Sequence, residues 1–168
     1  MRRGPPPLRP FGLVLHHYGR WSHGGRPISH AKLRAHFDRS VVYLPDEAKY
    51  VVTLRHFRGE IEVEEAAFFV RAFDPETGLV ALSDRSEEPL DVATLARSPI
   101  DGALMCRVKR ALALQAARSE PKANEVHRMG LLARFGHAAH AELLNAVEEG
   151  PHGLGLRMAG VWHDLPDL

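Results

Sequence analysis

Between residues 50 and 83 the chain falls into four short β-prone runs, 50–57, 60–63, 68–73 and 79–83, divided by Gly59, Asp74-Pro75 and Gly78. β-Branched and aromatic side chains suit a pleated, half-buried surface, and glycine and Asp-Pro turn the chain between strands, so this stretch predicts an antiparallel meander. Such a sheet needs a core to cover its apolar face. The 168 residues, 45% apolar and 26% charged, can supply one, since a chain of this length hides roughly 70% of the surface its unfolded form exposes.

The flanks carry helix signals. Residues 11–18 are apolar and β-prone, and Gly19, Gly24 and Gly25 punctuate the stretch beyond them, which predicts a strand and a short hairpin reaching Ile28. Ser29 then reads as an N-cap, with Ile28 and Leu33 as a hydrophobic staple and Leu33 and Phe37 as the apolar stripe of a helix ending near Ser40. Pro45-Asp46-Glu47 makes a turn. Beyond the meander, residues 89–99 read as a connector with one helical turn, 103–114 as a long strand, 119–125 as a polar loop and 131–135 as a strand. Residues 137–149 read as a helix closed by Gly150 and Pro151, and 154–158 and 161–165 as a last strand pair.

The first ten residues, Met1 to Pro10, open with two arginines but continue into prolines instead of an apolar run, so they read as an extended arm and not as an export signal. Arg2, Arg3 and Arg9 of this arm are available for weak phosphate contact. No apolar stretch approaches the ~20 residues that cross a bilayer.

A short internal repeat organises the rest. His30-Ala31-Lys32-Leu33, with Phe37 four residues on, matches His140-Ala141-Glu142-Leu143, with Val147 four residues on, at an offset of 110. A strand with Leu-Arg comes after each, Leu54-Arg55 and Leu156-Arg157. The fold expected is therefore α+β: two related, small antiparallel-sheet-plus-helix units packed together. The division is a tail at 1–10, an N-terminal half at 11–83 and a C-terminal half at 84–168.

Four segments carry a family resemblance. Gly19-Arg20-Trp21-Ser22-His23-Gly24-Gly25-Arg26-Pro27-Ile28 is similar to a G-x-W-x-H-x-G-x-P-I run, and Val63-Glu64-Glu65-Ala66-Ala67-Phe68 to V-E-D-A-P-F. Ala133-Arg134-Phe135 and Gly160-Val161-Trp162 match later segments of the same pattern. The chain thereby resembles a bacterial domain-of-unknown-function family built of two related α+β halves, the second like a pleckstrin-homology fold. Its departures are His17-Tyr18 before Gly19, Glu65 for Asp and Ala67 for Pro. The resemblance implies a fold, and a nucleotide-like ligand between the halves with a link to signalling.

The chemistry-bearing residues are few. Eleven histidines invite a metal, and His137 and His140 share a helix face at i, i+3, but no H-E-x-x-H, paired cysteine or third ligand at a recognised spacing accompanies them. No metal or cofactor is expected. His16 and His17 are adjacent, which on a strand sends them to opposite faces. No serine sits in a G-x-S-x-G elbow, so the chain reads as noncatalytic. His30 and His140 flank the apolar stripes of their helices. Under the repeat they would converge with Arg55 and Arg157 on a cleft between the halves, with Trp21 or Trp162 on its wall to stack on a ring. Paired guanidinium groups there would select an anion. The simpler alternative leaves the histidines at the core edge, the arginines solvated and the tryptophans in the core.

With 22 basic against 21 acidic residues, no global field draws this chain to nucleic acid or an anionic membrane. Cys106, the one cysteine, lies among apolar residues and reads as a buried, reduced thiol, which favours the cytoplasm. The reading that results is a small-ligand-binding or regulatory module for an anionic small molecule. Its alternatives are a protein-interaction module of pleckstrin-homology type, with a protein partner, and an unrecognised hydrolase.

Overall fold

The structure is a computed structural model that describes residues 9–54, 57–119 and 129–168. The tail residues 1–8, Arg55 and the polar segment 120–125 lie outside the described residues. Among the described residues three sheets and three α-helices build the fold, which is α+β.

The first sheet comprises β1 (Arg9–Leu15), β2 (Trp21–His23), β3 (Arg26–Pro27), β4 (Val41–Leu44), β5 (Lys49–Leu54) and β6 (Phe57–Val63), in the order β3-β2-β1-β6-β5-β4. β1 starts at Arg9, inside the segment read as a tail, and its first residues pair with Gly59 and Glu60. Pro10 has no N–H to donate, and the strand tolerates it because the pairing to β2 begins only at Leu13; the register to β6 shifts between Pro10 and Val14. The second sheet comprises β7 (Phe68–Asp74), β8 (Leu79–Leu82), β9 (Glu87–Pro89), β10 (Ala96–Arg97), β11 (Leu104–Val108) and β12 (Leu131–Phe135), in the order β10-β11-β12-β7-β8-β9. It begins at Phe68, so residues 68–82 pair within it and not with the first sheet.

Sequence reading expects antiparallel sheets throughout. Each six-stranded sheet instead has one parallel pair at its centre, β1 with β6 and β12 with β7, between antiparallel arms. The reason is that each pair is joined by a long connection and not a tight hairpin, so the chain can return in the same direction.

Helix α1 (Ala31–Ser40) packs on β5 and buries Phe37 against Trp21, ring centroids 5.4 Å apart. Its N-cap is His30, not Ser29: the His30 Nδ1 accepts the Leu33 N–H at 3.2 Å. With the start displaced by one residue the Ile28–Leu33 staple lapses, and Leu33 is 41% exposed.

Helix α2 (Arg110–Ser119) replaces the second part of the strand expected over 103–114. Lys109 takes φ +53° and breaks the strand. Its N–H donates to Glu88, its Nζ reaches Asp84 at 2.7 Å and Ser86 at 3.1 Å, and the run Ala-Leu-Ala-Leu-Gln-Ala-Ala beyond it favours a helix.

Helix α3 (His137–Ala146) packs on β7 and passes directly into β13 (Val147–Gly150), so Gly150 and Pro151 shape a hairpin and do not close the helix. β-Branched Val147 suits the strand it opens. β14 (Gly153–Met158) and β15 (Val161–Asp164) complete a three-stranded antiparallel sheet.

The repeat is present in a different register. α1 and α3 each span ten residues, each runs straight into a four-residue strand through a valine C-cap, and two antiparallel strands come next. Val147 stands for Val41 and buried Leu143 for buried Phe37, an offset of 106. His30 therefore corresponds to Gly136, and His140 to Arg34. One buried cluster runs through both large sheets, with Leu15, Val52, Phe68, Val70, Leu131, Leu143 and Leu156 among its members.

Candidate functional site

The sheets meet where β6 passes into β7 through Glu64, Glu65, Ala66 and Ala67. The Glu64 carboxylate accepts the His17 N–H at 3.0 Å, lies 2.7 Å from His17 Nδ1 and 3.3 Å from His16 Nδ1. The first of these bonds is the main reason the Glu64 carboxyl is held below its ordinary value. Both histidines lie past the end of β1, in the turn, so the opposite faces that a strand would give them do not arise. Glu65, nearly buried, accepts the Ser98 hydroxyl at 2.7 and 2.9 Å.

Beside this junction lies a cavity of about 340 Å³. It is lined by Tyr18 and Gly19 of the β1–β2 turn, Phe69 and Arg71 of β7, and Ala103, Arg134, Phe135, Gly136, His137 and His140. It sits at the carboxyl end of β12, where the strand feeds the first turn of α3. Gly136 caps that helix without a side-chain bond, and its own N–H goes to Val70 O at 3.0 Å. The first turn of α3 thus has no side-chain cap at the positive end of the helix dipole. His137 and His140 stand one turn apart on one face.

Two guanidinium groups complete the lining. Arg71 is 53% exposed, lies 5.8 Å from the centre of the Phe69 ring and donates one bond, Nη2 to Asp38 Oδ2 at 3.0 Å. Asp38 also accepts the Trp21 indole N–H at 2.8 Å. Burial raises the Asp38 carboxyl, against the opposing pull of Trp21, Arg71 and Arg34. Arg134 forms a two-pronged pair with Asp101, 3.1 and 2.6 Å, which is the leading cause of the Asp101 carboxyl falling to about 2. His17 Nε2 is 3.8 Å from the same carboxylate.

Of the residues singled out by sequence, His140 lines this cavity. His30 is exposed at its cap and Arg157 is exposed on β14, 5.9 Å from the Trp162 ring. Trp162 covers Gly150 and Gly155 and bonds Asp164 at 2.8 Å, and Trp21 is 1% exposed in the core. These residues do not share a cleft with His140; the register of the repeat accounts for it, because His30 and His140 are not equivalent positions. Sequence reasoning misses Arg71, Arg134, Tyr18 and the head of α3. The available signals are Gly136 between strand and helix and the His137/His140 pair, whose spacing suggests a metal before it suggests an anion. Among the described residues no group of three His, Cys, Asp or Glu is placed to hold a metal ion.

Two other constellations differ in kind. A larger cavity of about 700 Å³ lies against the β7–β8 turn, lined by Ala72, Pro75, Leu79 and Ala81 with Asp74, Glu87 and Glu142. Asp74 there bonds Glu76 N–H and Thr77 Oγ1, and Glu142 bonds the Phe73 N–H, so these two carboxylates serve the local backbone and turn. Ser22, His16 and Glu64 form a hydroxyl–imidazole–carboxylate chain, with Ser22 Oγ 2.9 Å from His16 Nε2. Ser22 is 8% exposed in a strand paired on both sides, and Glu64 is shared with His17, which makes the chain a structural tie.

No protein-family model matches this chain, and no curated protein matches it. A solved structure that resembles it is a DUF1285 family protein from Silicibacter pomeroyi DSS-3, 16% identical, with a TM-score of 0.59 over 95% of this chain and 82% of that one. Another is a DUF1285 family protein from Shewanella baltica OS155, 14% identical, with a TM-score of 0.47 over 80% of this chain and 91% of that one. The first likeness establishes the fold, that of a bacterial domain of unknown function with sheet-plus-helix halves, in agreement with the resemblance read from the sequence. No helix among the described residues is long and apolar enough to cross a membrane.

Proposed function

We propose that this protein is a small-ligand-binding module whose ligand is an anion, phosphate or carboxylate, attached to a planar apolar body. One observation carries the reading: a single cavity gathers Arg71, Arg134, His137, His140 and the uncapped first turn of α3 between the aromatic rings of Tyr18, Phe69 and Phe135. Donors of this kind recognise anionic oxygens, and the exposed Tyr18 ring, beside the apolar edges of buried Phe69 and Phe135, offers a stacking surface for the body. Arg71 gives one donor to Asp38 and retains others for a ligand. The nucleotide-like ligand implied by the family resemblance belongs to the same chemical class.

A ligand here touches the β1–β2 turn of the first sheet and the α3 head beside the second, so binding would tighten the junction between them. That is the physical basis of a regulatory role. Phenyl phosphate is a suitable probe, with benzyl alcohol as its uncharged control. Calorimetric titration should show binding of the first and not of the second. Arg71→Gln should weaken it by about 10- to 100-fold, the range for losing a charge-assisted hydrogen bond. Absence of binding, or binding indifferent to Arg71→Gln and to His137→Ala/His140→Ala together, would overturn the reading.

A further inference from the structure

We propose that Asp101 is an internal latch on this cavity: its carboxylate competes with the ligand for Arg134, and an incoming anion exchanges with it and frees the hairpin tip that carries it. The inference rests on the anion-binding reading above and adds its regulation.

Arg134 presents a planar fork, and Asp101 occupies both prongs, Nη1 at 3.1 Å and Nη2 at 2.6 Å, while the nearly buried Glu65 carboxylate stands 3.9 Å from Nη1. A phosphate or carboxylate that binds Arg134 in the same two-pronged way needs the same two nitrogens, so the two anions exclude each other. The carrier of Asp101 is built for the exchange. It sits in the loop between β10 and β11, whose base is pinned by Ser98 on Glu65 and by Ser98 N–H on Ala103 O at 2.7 Å. At the tip, Gly102 has φ +74° and bonds back to Ser98 O, and Ile100 is 49% exposed. Beyond its own turn, the contacts seen for Asp101 are Arg134 and, at 3.8 Å, His17. Ala103, two residues on, already lines the cavity. The turn keeps its own bonds, Ile100 N–H to Ser98 Oγ and Arg97 Nη1 to Gly102 O, while the two-pronged pair with Arg134 and the longer His17 contact hold its tip against the cavity; replacing the Arg134 pair leaves the tip only the His17 contact.

Asp38, the carboxylate on Arg71, is a poor candidate for the same exchange. It lies within helix α1, is largely shielded from solvent and is tied to the Trp21 indole. The exchange therefore falls on Asp101. The latch also sets a threshold, because a ligand with only one weak acceptor cannot displace a two-pronged carboxylate.

The test uses the full chain and phenyl phosphate. Asp101→Asn keeps the shape and removes the competing charge, and Asp101→Ser removes the second prong as well. Both should bind phenyl phosphate at least about tenfold more tightly than the unaltered protein. In the unaltered protein, saturating phenyl phosphate should speed amide exchange at Gly102 and Ala103, whose protecting bonds are made by the latched turn. Unchanged or weaker binding by both variants, together with unchanged exchange at the tip, overturns the latch and leaves the binding reading standing. Failure of the unaltered protein and both variants to bind overturns the reading and the latch together.

Discussion

Trp21 and Asp38 show how one side chain can belong to the core and still bear on the site. The indole is 1% exposed, but its N–H is directed to Asp38, which in turn holds Arg71 in the cavity lining. Trp21→Phe removes the donor and leaves the largely shielded Asp38 short of a partner, so it should cost about 2–4 kcal/mol in chemical denaturation. Gly155 is a second sensitive residue. A Cβ there would strike the Trp162 ring and stand 2.6 Å from His163 O, so Gly155→Ala should cost about 1–3 kcal/mol and shift Trp162 emission to the red. Cys106 is readable from its strand pattern: it is 1% exposed, burial pushes its thiol up to about 12, and it should resist thiol reagents in the native protein. Arg71 and Arg134 are not readable, since nothing local separates them from the other arginines and their partners Asp38 and Asp101 lie 33 residues away in each case.

At the scale of elements, local propensity places most strands, and the exceptions have local causes. The strand expected over 103–114 fails at Lys109, where a left-handed residue is held by Glu88, Asp84 and Ser86, contacts 21 to 25 residues away in sequence. Helix α3 ends at Ala146 because β13 finds a partner in β14, which no helical periodicity reports. The V-E-E-A-A-F block that carries part of the family resemblance is the joint between the sheets, with Glu64 on His16 and His17 and Glu65 on Ser98. Its carboxylates are legible as a motif and illegible as a joint. The β10–β11 loop gives a pH prediction. The Asp101 carboxyl lies at about 2 in the folded state against an ordinary 3.8. A depressed folded value means the stabilisation is complete above about pH 4 and is lost as pH falls through about 2. In urea melts followed from pH 5 to pH 2, Asp101→Asn should flatten that part of the acid limb; an acid limb identical to that of the unaltered protein would show the pair with Arg134 to be absent in solution.

For the whole molecule, duplication and site are separable. Two units of helix and three strands recur, helix and first strand at an offset of 106 and the next two strands at 104, and sequence reading finds the repeat but aligns its helices on His-Ala-x-Leu, four residues out of register. That slip matters because it puts His30 opposite His140 and builds a cleft about a two-fold axis. The cavity that the fold forms is not symmetric. It draws one turn from the first sheet, two strands and the β10–β11 loop from the second and the head of α3, so its lining could not be derived from equivalence between the halves. The direct test is amide chemical-shift mapping during titration of the protein with phenyl phosphate. Saturable shifts are expected, concentrated at His137, Ala138 and Ala139, at Phe69 to Arg71 and at Tyr18 and Gly19. Shifts centred on Asp74 to Thr77 and Asn145, or no saturable shifts at all, would contradict anion binding in this cavity.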